Sequence, residues 1–143
     1  MAYAAFFFSV VGLAFTVLAF WWLNAREGTL HAPEPAAYAF AVIGRLRLPL
    51  AIFNSGAKDL IVADLRLVLD GERTLRWVTT RSLLRPEEHD GFAYATPFAV
   101  RGRGTRELIA EFEGAPWRPE RERYTVALEA RQDSEWRQIG SFD

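Results

Sequence analysis

Ile61-Val-Ala-Asp-Leu-Arg-Leu-Val-Leu-Asp-Gly-Glu-Arg-Thr-Leu-Arg-Trp-Val-Thr79 is the stretch whose reading decides the fold class. Ile61, Ala63, Leu65, Leu67 and Leu69 alternate with Val62, Asp64, Arg66 and Val68, and after Asp70-Gly71 the rhythm resumes at Leu75, Trp77 and Thr79. Successive side chains of a strand point to opposite faces, so a period of two buries one face and wets the other. Asp-Gly suits the two-residue hairpin turn, whose central residues both take positive φ. The stretch therefore predicts two antiparallel strands joined by a tight turn.

The same rhythm continues outward in both directions. Upstream lie Leu46, Leu48, Leu50 and Ile52, and before them Tyr38, Phe40 and Val42. Downstream come Phe92, Tyr94, Thr96, Phe98 and Val100, then Leu108, Ala110 and Phe112, then Tyr124, Val126, Leu128 and Ala130, and a shorter run from Trp136 to Phe142. Turn-forming clusters separate them: Asn54-Ser55-Gly56, Asp90-Gly91, Gly102 to Gly104 and Gly114-Ala115-Pro116. No soluble segment sustains an i, i+3, i+4, i+7 pattern, and only Arg81 to His89 could hold a short helix, which Pro86 limits. Residues 38–143 are thus expected to form an all-β domain, a seven- to eight-stranded antiparallel sandwich. Pro49 and Pro97 are expected at sheet edges or bulges, because proline donates no ladder hydrogen bond.

The other end of the chain has a different composition. Ala2 to Leu23 contains no charged residue, whereas every one of the 17 Lys and Arg and 18 Asp and Glu lies beyond residue 25. As a helix these 22 residues reach about 33 Å, enough to cross a hydrocarbon core of roughly 30 Å. Residues 2–24 are read as a transmembrane helix, with Tyr3 at one interface and Trp21, Trp22 and Arg26 at the other. A cleaved signal peptide fits less well, since nothing basic precedes the run and bulky Phe20-Trp21-Trp22-Leu23 stands where small residues are needed. The expected location is the cell membrane, crossed once. Arg26, Arg45 and Arg47 on the C-terminal flank lean towards a cytoplasmic domain, Glu27 and Glu34 temper that bias, and an extracytoplasmic domain stays open. Residues 25–37, with Gly28, Pro33 and Pro35, read as a tether. Ser9, Gly12 and Thr16 share one helical face and form a candidate contact for another helix.

Leu48-Pro-Leu-Ala-Ile-Phe-Asn-Ser-Gly56, followed by Asp59-Leu-Ile-Val-Ala-Asp-Leu-Arg-Leu67, resembles the B–C region of immunoglobulin-like and fibronectin-III-like domains, where a core strand ends in an Asn-x-Gly turn. Pro119 through Tyr124-Thr-Val-Ala-Leu128 is similar to their tyrosine corner, and Trp77 to their core tryptophan. The likeness covers most of residues 38–142 and lacks the cysteine pair of antibody domains. The chain as a whole resembles uncharacterised bacterial single-pass membrane proteins with such a domain. That resemblance implies a fold and a tether, and no activity.

Candidate chemistry is sparse. Without cysteine, disulfides, thiolate nucleophiles and Cys-ligated metal sites are excluded. His31 lies in the tether and His89 in an acidic loop, neither in a triad-like setting. Glu87-Glu88-His89-Asp90 offers four ligand types in a row, but consecutive residues point in different directions and do not close round one ion, so a solvated loop is the better reading. No catalytic residue, metal or cofactor is expected. A net charge of −1 gives no broad field for nucleic acid. Arg101, Arg103 and Arg106 form the densest basic spot, read first as a hairpin turn with solvated Arg side chains and otherwise as a contact for anionic lipid headgroups or an acidic partner, and Trp117 is either an exposed contact or a plug for the open end of the sandwich.

Two classes of function remain. The first is a non-catalytic interaction module anchored in the bilayer, an accessory or assembly subunit whose partners are other membrane protein subunits. The second is a membrane-tethered sensor that binds a ligand or lipid in a pocket lined by aromatics such as Tyr94, Phe98 or Trp117.

Overall fold

Helix α1 spans Ala2–Asn24, and its apolar span from Tyr3 to Asn24 is long and apolar enough to cross a membrane, with none of it buried by the rest of the chain. In this computed structural model residues 2–41, 44–115 and 123–143 are described. Trp117 and the rest of 116–122, together with Val42, lie outside the described residues.

Eleven described strands follow: β1 (Leu30–His31), β2 (Ala39–Ala41), β3 (Arg45–Asn54), β4 (Leu60–Val62), β5 (Asp64–Leu69), β6 (Arg73–Arg81), β7 (Phe92–Tyr94), β8 (Phe98–Val100), β9 (Thr105–Glu113), β10 (Val126–Gln132) and β11 (Glu135–Phe142). All pairings are antiparallel. The main sheet runs β1-β3-β9-β6-β5-β10-β11, with β2 added to β3 and β7 to β6, while β4 and β8 form a separate pair. The sheet curls until its two ends meet, where the Ala32 N–H donates to Ile139 O at 2.7 Å. Gly140 makes that approach possible, because a Cβ there would lie 2.6 Å from Ala32 O. The result is a nearly closed, barrel-like sandwich.

The core follows the two-residue period. Leu46, Leu48, Leu50 and Ile52 of β3 point inward, as do Leu65, Leu67 and Leu69 of β5, Leu75 and Trp77 of β6, Ala110 and Phe112 of β9, and Val126, Leu128 and Ala130 of β10. The Asp70-Gly71 turn has φ of 49° and 72°, and Glu72 N–H donates across it to Leu69 O at 3.0 Å. The positive φ at both residues is what the dipeptide predicts, but Leu69 pairs with Arg73, so the loop holds three residues, Asp70, Gly71 and Glu72, rather than two. Trp77 is buried, donates its indole N–H to Thr79 O at 3.0 Å and meets Phe98 edge-on at 5.8 Å.

Several elements differ from the sequence reading. The run from Ile61 to Leu69 is not one strand. It breaks at Ala63, whose N–H goes to Arg131 O, and β4 leaves the main sheet to pair with β8. The inward parity slips with it, so that Val62 is buried and Ile61 is 63% exposed. The run from Phe92 to Val100 is likewise cut around Pro97 into β7 and β8, and both Phe92 and Tyr94 are exposed. Pro49 sits inside β3, in the interval that neither β2 (pairing with 45–47) nor β1 (pairing with 53–54) reaches. An edge locally without a partner tolerates a residue that lacks an N–H.

The stretch 25–37, expected as a tether, is bound to the domain. Leu30 and Ala32 are buried, β1 pairs with the end of β3, and Gly28 lies so close to Gly56 that a Cβ on it would fall 1.9 Å from Gly56 N. Gly28 and Pro33 interrupt regular structure without detaching the chain.

Candidate functional site: the joint between helix and barrel

The last turn of α1 leaves carbonyls with no helical donor. Ala25 and Arg26 N–H both donate to Trp21 O, at 2.9 and 3.0 Å. Trp22 O takes its donor from far along the chain, Arg103 Nη2 at 3.0 Å. Arg26 places its guanidinium 4.3 Å from the centre of the Trp22 ring, a cation–π distance, and donates from Nη2 to Ser55 O at 2.6 Å. Its own carbonyl accepts from Ala57 N–H at 2.8 Å. Thr29 O and Ser55 N–H are joined at 3.1 Å, and Ser55 Oγ accepts from Thr29 N–H at 3.0 Å.

Two loops form the barrel's side of this joint, 55–59 and 101–104. Asn54, fully buried, ties them together. Its amide donates to Lys58 O at 2.8 Å and to Val100 O at 3.1 Å, while its Oδ1 accepts from Gly56 N–H at 2.9 Å. Asp59 Oδ1 accepts from Gly102 N–H at 2.9 Å, and a Cβ on Gly102 would stand 1.9 Å from Ala57 O. Arg103 occupies the tip with φ 55°, in the left-handed region that favours glycine or asparagine. A long cationic side chain is held there at a backbone cost, and its guanidinium reaches the helix end.

The sequence-derived candidates are therefore only partly brought together. Trp22, Arg26 and Arg103 meet, and Trp21 lies on the same turn with its carbonyl engaged. Arg101 is exposed on the same loop, whereas Arg106 lies on β9 opposite Ile52. Tyr3 is at the far end of α1. Ser9 and Thr16 donate their hydroxyls to Ala5 O and Gly12 O of their own helix, at 2.9 and 2.8 Å, and nothing lies within 4 Å of a Cβ built on Gly12.

Two further clusters were not legible beforehand. The first is a buried ion network outside the barrel wall, beneath the 82–91 loop. Arg47 donates from Nε to Glu111 Oε2 and from Nη1 to Asp90 Oδ2, both at 2.6 Å, and from Nη1 to Leu83 O at 3.1 Å. Arg81 Nη2 and Thr79 Oγ1 reach Glu111 Oε1 at 2.9 and 3.2 Å. Burial alone raises the pKa of Asp90, but the Leu83 N–H, the Arg47 hydrogen bond and the Arg47 and Arg81 charges outweigh it and hold the carboxyl below its ordinary value. Glu111 is lowered in the same way, burial being overcome by hydrogen bonds and charge from Arg81 and Arg47. Asp90 is thus a structural clamp on its loop, while the Glu87, Glu88 and His89 beside it are exposed. Among the described residues no group of three possible metal ligands forms.

The second is a cavity of about 690 Å³ at the opposite mouth of the barrel, lined among others by Phe40, Leu46, Leu48, Leu69, Tyr124 and Phe142. The β3–β9 register carries the wall from Phe53↔Thr105 beside the joint to Arg45↔Glu113, eight residues along and about 27 Å away. Tyr94 and Phe98 are not in its lining.

No protein-family model matches the chain, and no curated protein matches it. Among solved structures it is similar to the Pseudomonas fluorescens alkylpurine DNA glycosylase AlkC bound to DNA containing an abasic site analogue, with 14% identity and a TM-score of 0.37 over 81% of this chain. The match spans 29% of the glycosylase, less than a third of its length. It is also similar to an uncharacterised β-sandwich protein from Clostridium difficile 630, with 15% identity and a TM-score of 0.34 over 79% of this chain and 78% of that one.

Proposed function

We propose that the chain is a non-catalytic, membrane-anchored interaction module, an accessory or assembly subunit whose helix and barrel dock together on a larger membrane protein. The observation that carries this reading is the joint. A domain meant to roam needs a slack linker, and here the helix end is bonded to two barrel loops through Trp22, Arg26, Ser55 and Arg103. Helix and barrel then present one composite surface to a partner. Supporting it, the Ser9 and Thr16 hydroxyls are satisfied within α1, so the helix is stable alone in lipid, and bare Gly12 between them lets a second helix approach. The strongest charged cluster, around Glu111, is neutralised internally and serves architecture. In this reading the domain is a variant of the immunoglobulin-like sandwich, an assignment supported by buried Trp77 and the Asn54 turn, and the chain crosses the cell membrane once.

Photo-crosslinking in native membranes tests the proposal. A reactive residue at Gly12 is expected to give a discrete protein adduct, and one at Val10, on the opposite side of the helix, none. Equal labelling from both positions, or from neither, would overturn the reading. A ligand-binding sensor is the second reading, supported by the 690 Å³ cavity, whose size lies in the range of roughly 300–1,000 Å³ usual for small-molecule sites.

A further inference from the structure

The loop carrying Arg103 has a depth as well as a contact. If α1 spans the bilayer, Trp21-Trp22 lies at the headgroup layer, which extends about 5–8 Å beyond the hydrocarbon on each side. Arg103 donates directly to Trp22 O, so its guanidinium stands within that layer whatever the tilt of the helix. Arg101 precedes it on the same exposed turn, and Lys58 projects from the neighbouring loop, which Asn54 holds against Val100. The acidic groups facing this spot are already engaged. Asp59 accepts the Gly102 N–H at 2.9 Å, and Glu27 stands 3.5 Å from Lys58 Nζ in an exposed pair, which contributes little in water. Arg26 is committed to the Trp22 ring and Ser55 O. The basic side chains that the two loops expose beside Trp22 are Lys58, paired only with exposed Glu27, Arg101 and the rest of the Arg103 fork. Keeping arginine at φ 55°, where glycine is unstrained, is a backbone cost consistent with a task for that side chain.

We propose that the two loops at the joint form a binding site for anionic phospholipid headgroups, with Lys58, Arg101 and Arg103 as the phosphate-binding side chains. Guanidinium and phosphate match in a bidentate fork, and lysine adds a point charge beside it. Each lipid phosphate bound there steadies the joint from outside, so the barrel takes one attitude to the membrane and the surface it offers a partner is fixed. This inference rests on the anchoring reading above.

The test uses the full chain in nanodiscs of mixed phosphatidylcholine and phosphatidylglycerol, with native mass spectrometry reading the lipids that leave with the protein. The ratio of phosphatidylglycerol to phosphatidylcholine adducts is expected to exceed that of the disc about fivefold. It should fall about twofold or more in the Lys58→Gln/Arg101→Gln double variant, which keeps only Arg103, and Arg103→Lys should lower it less. Lys58 and Arg101 are exposed, so the double variant retains the fold, which near-ultraviolet circular dichroism of buried Trp77 checks. A wild-type ratio equal to bulk, or an enrichment undiminished by the double change, overturns the site. Extraction with alkaline carbonate separates the two ideas. A chain stripped from membranes loses the anchoring reading as well, whereas a chain that stays and shows the bulk ratio loses only the headgroup site.

Discussion

Arg47 and Glu111 face each other across β3 and β9, on the side of the wall that alternation assigns to solvent, yet both are buried. Arg45, Arg47 and Arg81 meet the carboxylates of Asp90 and Glu111 there, and a buried charge left without its partner is far more costly than the intact pair is stabilising. Glu111→Ala leaves Asp90 as the one carboxylate facing both Arg47 and Arg81, at 2.6 and 3.7 Å, and the expected loss is about 3–5 kcal/mol in chemical unfolding of the detergent-solubilised chain. Acid reaches the same failure. Asp90 and Glu111 titrate below their ordinary values of 3.8 and 4.5, so near those values the folded chain binds fewer protons than the unfolded one. Their contribution is whole at neutral pH, remains so down to about pH 5, and drains away as the pH falls through the lowered values of the folded state. Thermal melts between pH 7 and pH 3 check this, and Asp90→Asn should flatten the acid limb. The sequence held no sign of the cluster, because Arg47 and Glu111 look like ordinary wet-face residues. What buries them is the 82–91 loop, whose placement depends on Asp90 finding Arg47 from 43 positions away.

At the scale of elements the joint is the part on which the proposed function rests, and its geometry depends on absent side chains. Gly56→Ala would put a methyl 2.1 Å from Gly28 N, with no flexible neighbour to yield, so backbone must move. The expected cost is about 1–3 kcal/mol, accompanied by faster amide exchange at Ala57 and Lys58, whose N–H groups both face Arg26 O. Exchange unchanged at those two amides would mean that the approach of the two glycines is dispensable. Asn54-Ser55-Gly56 was readable as a turn, since the residue types announce it. That the turn grips residues 26–29 was not, because Gly28, Pro33 and Pro35 signal only interruption and say nothing of what the interrupted chain lies against. The parity slip at Ala63 was hidden for a similar reason: Ile61 and Val62 are equally apolar, and only the departure of β4 towards β8 decides which turns inward.

For the molecule as a whole, composition separated the apolar helix from the charged β domain, and the two-residue rhythm gave the antiparallel class. Closure was beyond its reach. The meeting of Ala32 with Ile139 joins segments with no shared pattern, and only Gly140 hints at a place where another backbone comes near. Gly140→Val is expected to open the barrel at this point, with about 1–3 kcal/mol lost and the Ala32 amide exposed to exchange while those of β5 and β10 stay protected. Uniform loss of protection would instead mean that the barrel unfolds as a unit.

The position of that meeting also orders events in time. Its two sides lie more than a hundred residues apart, and contacts so distant along the chain form slowly because a long loop must close first. The apolar helix precedes all of them and leaves the ribosome early. A chain with β1 and β3 assembled would then carry an unsatisfied strand edge until β11 (Glu135–Phe142) is made, and would be vulnerable to proteases and to its neighbours in the interval.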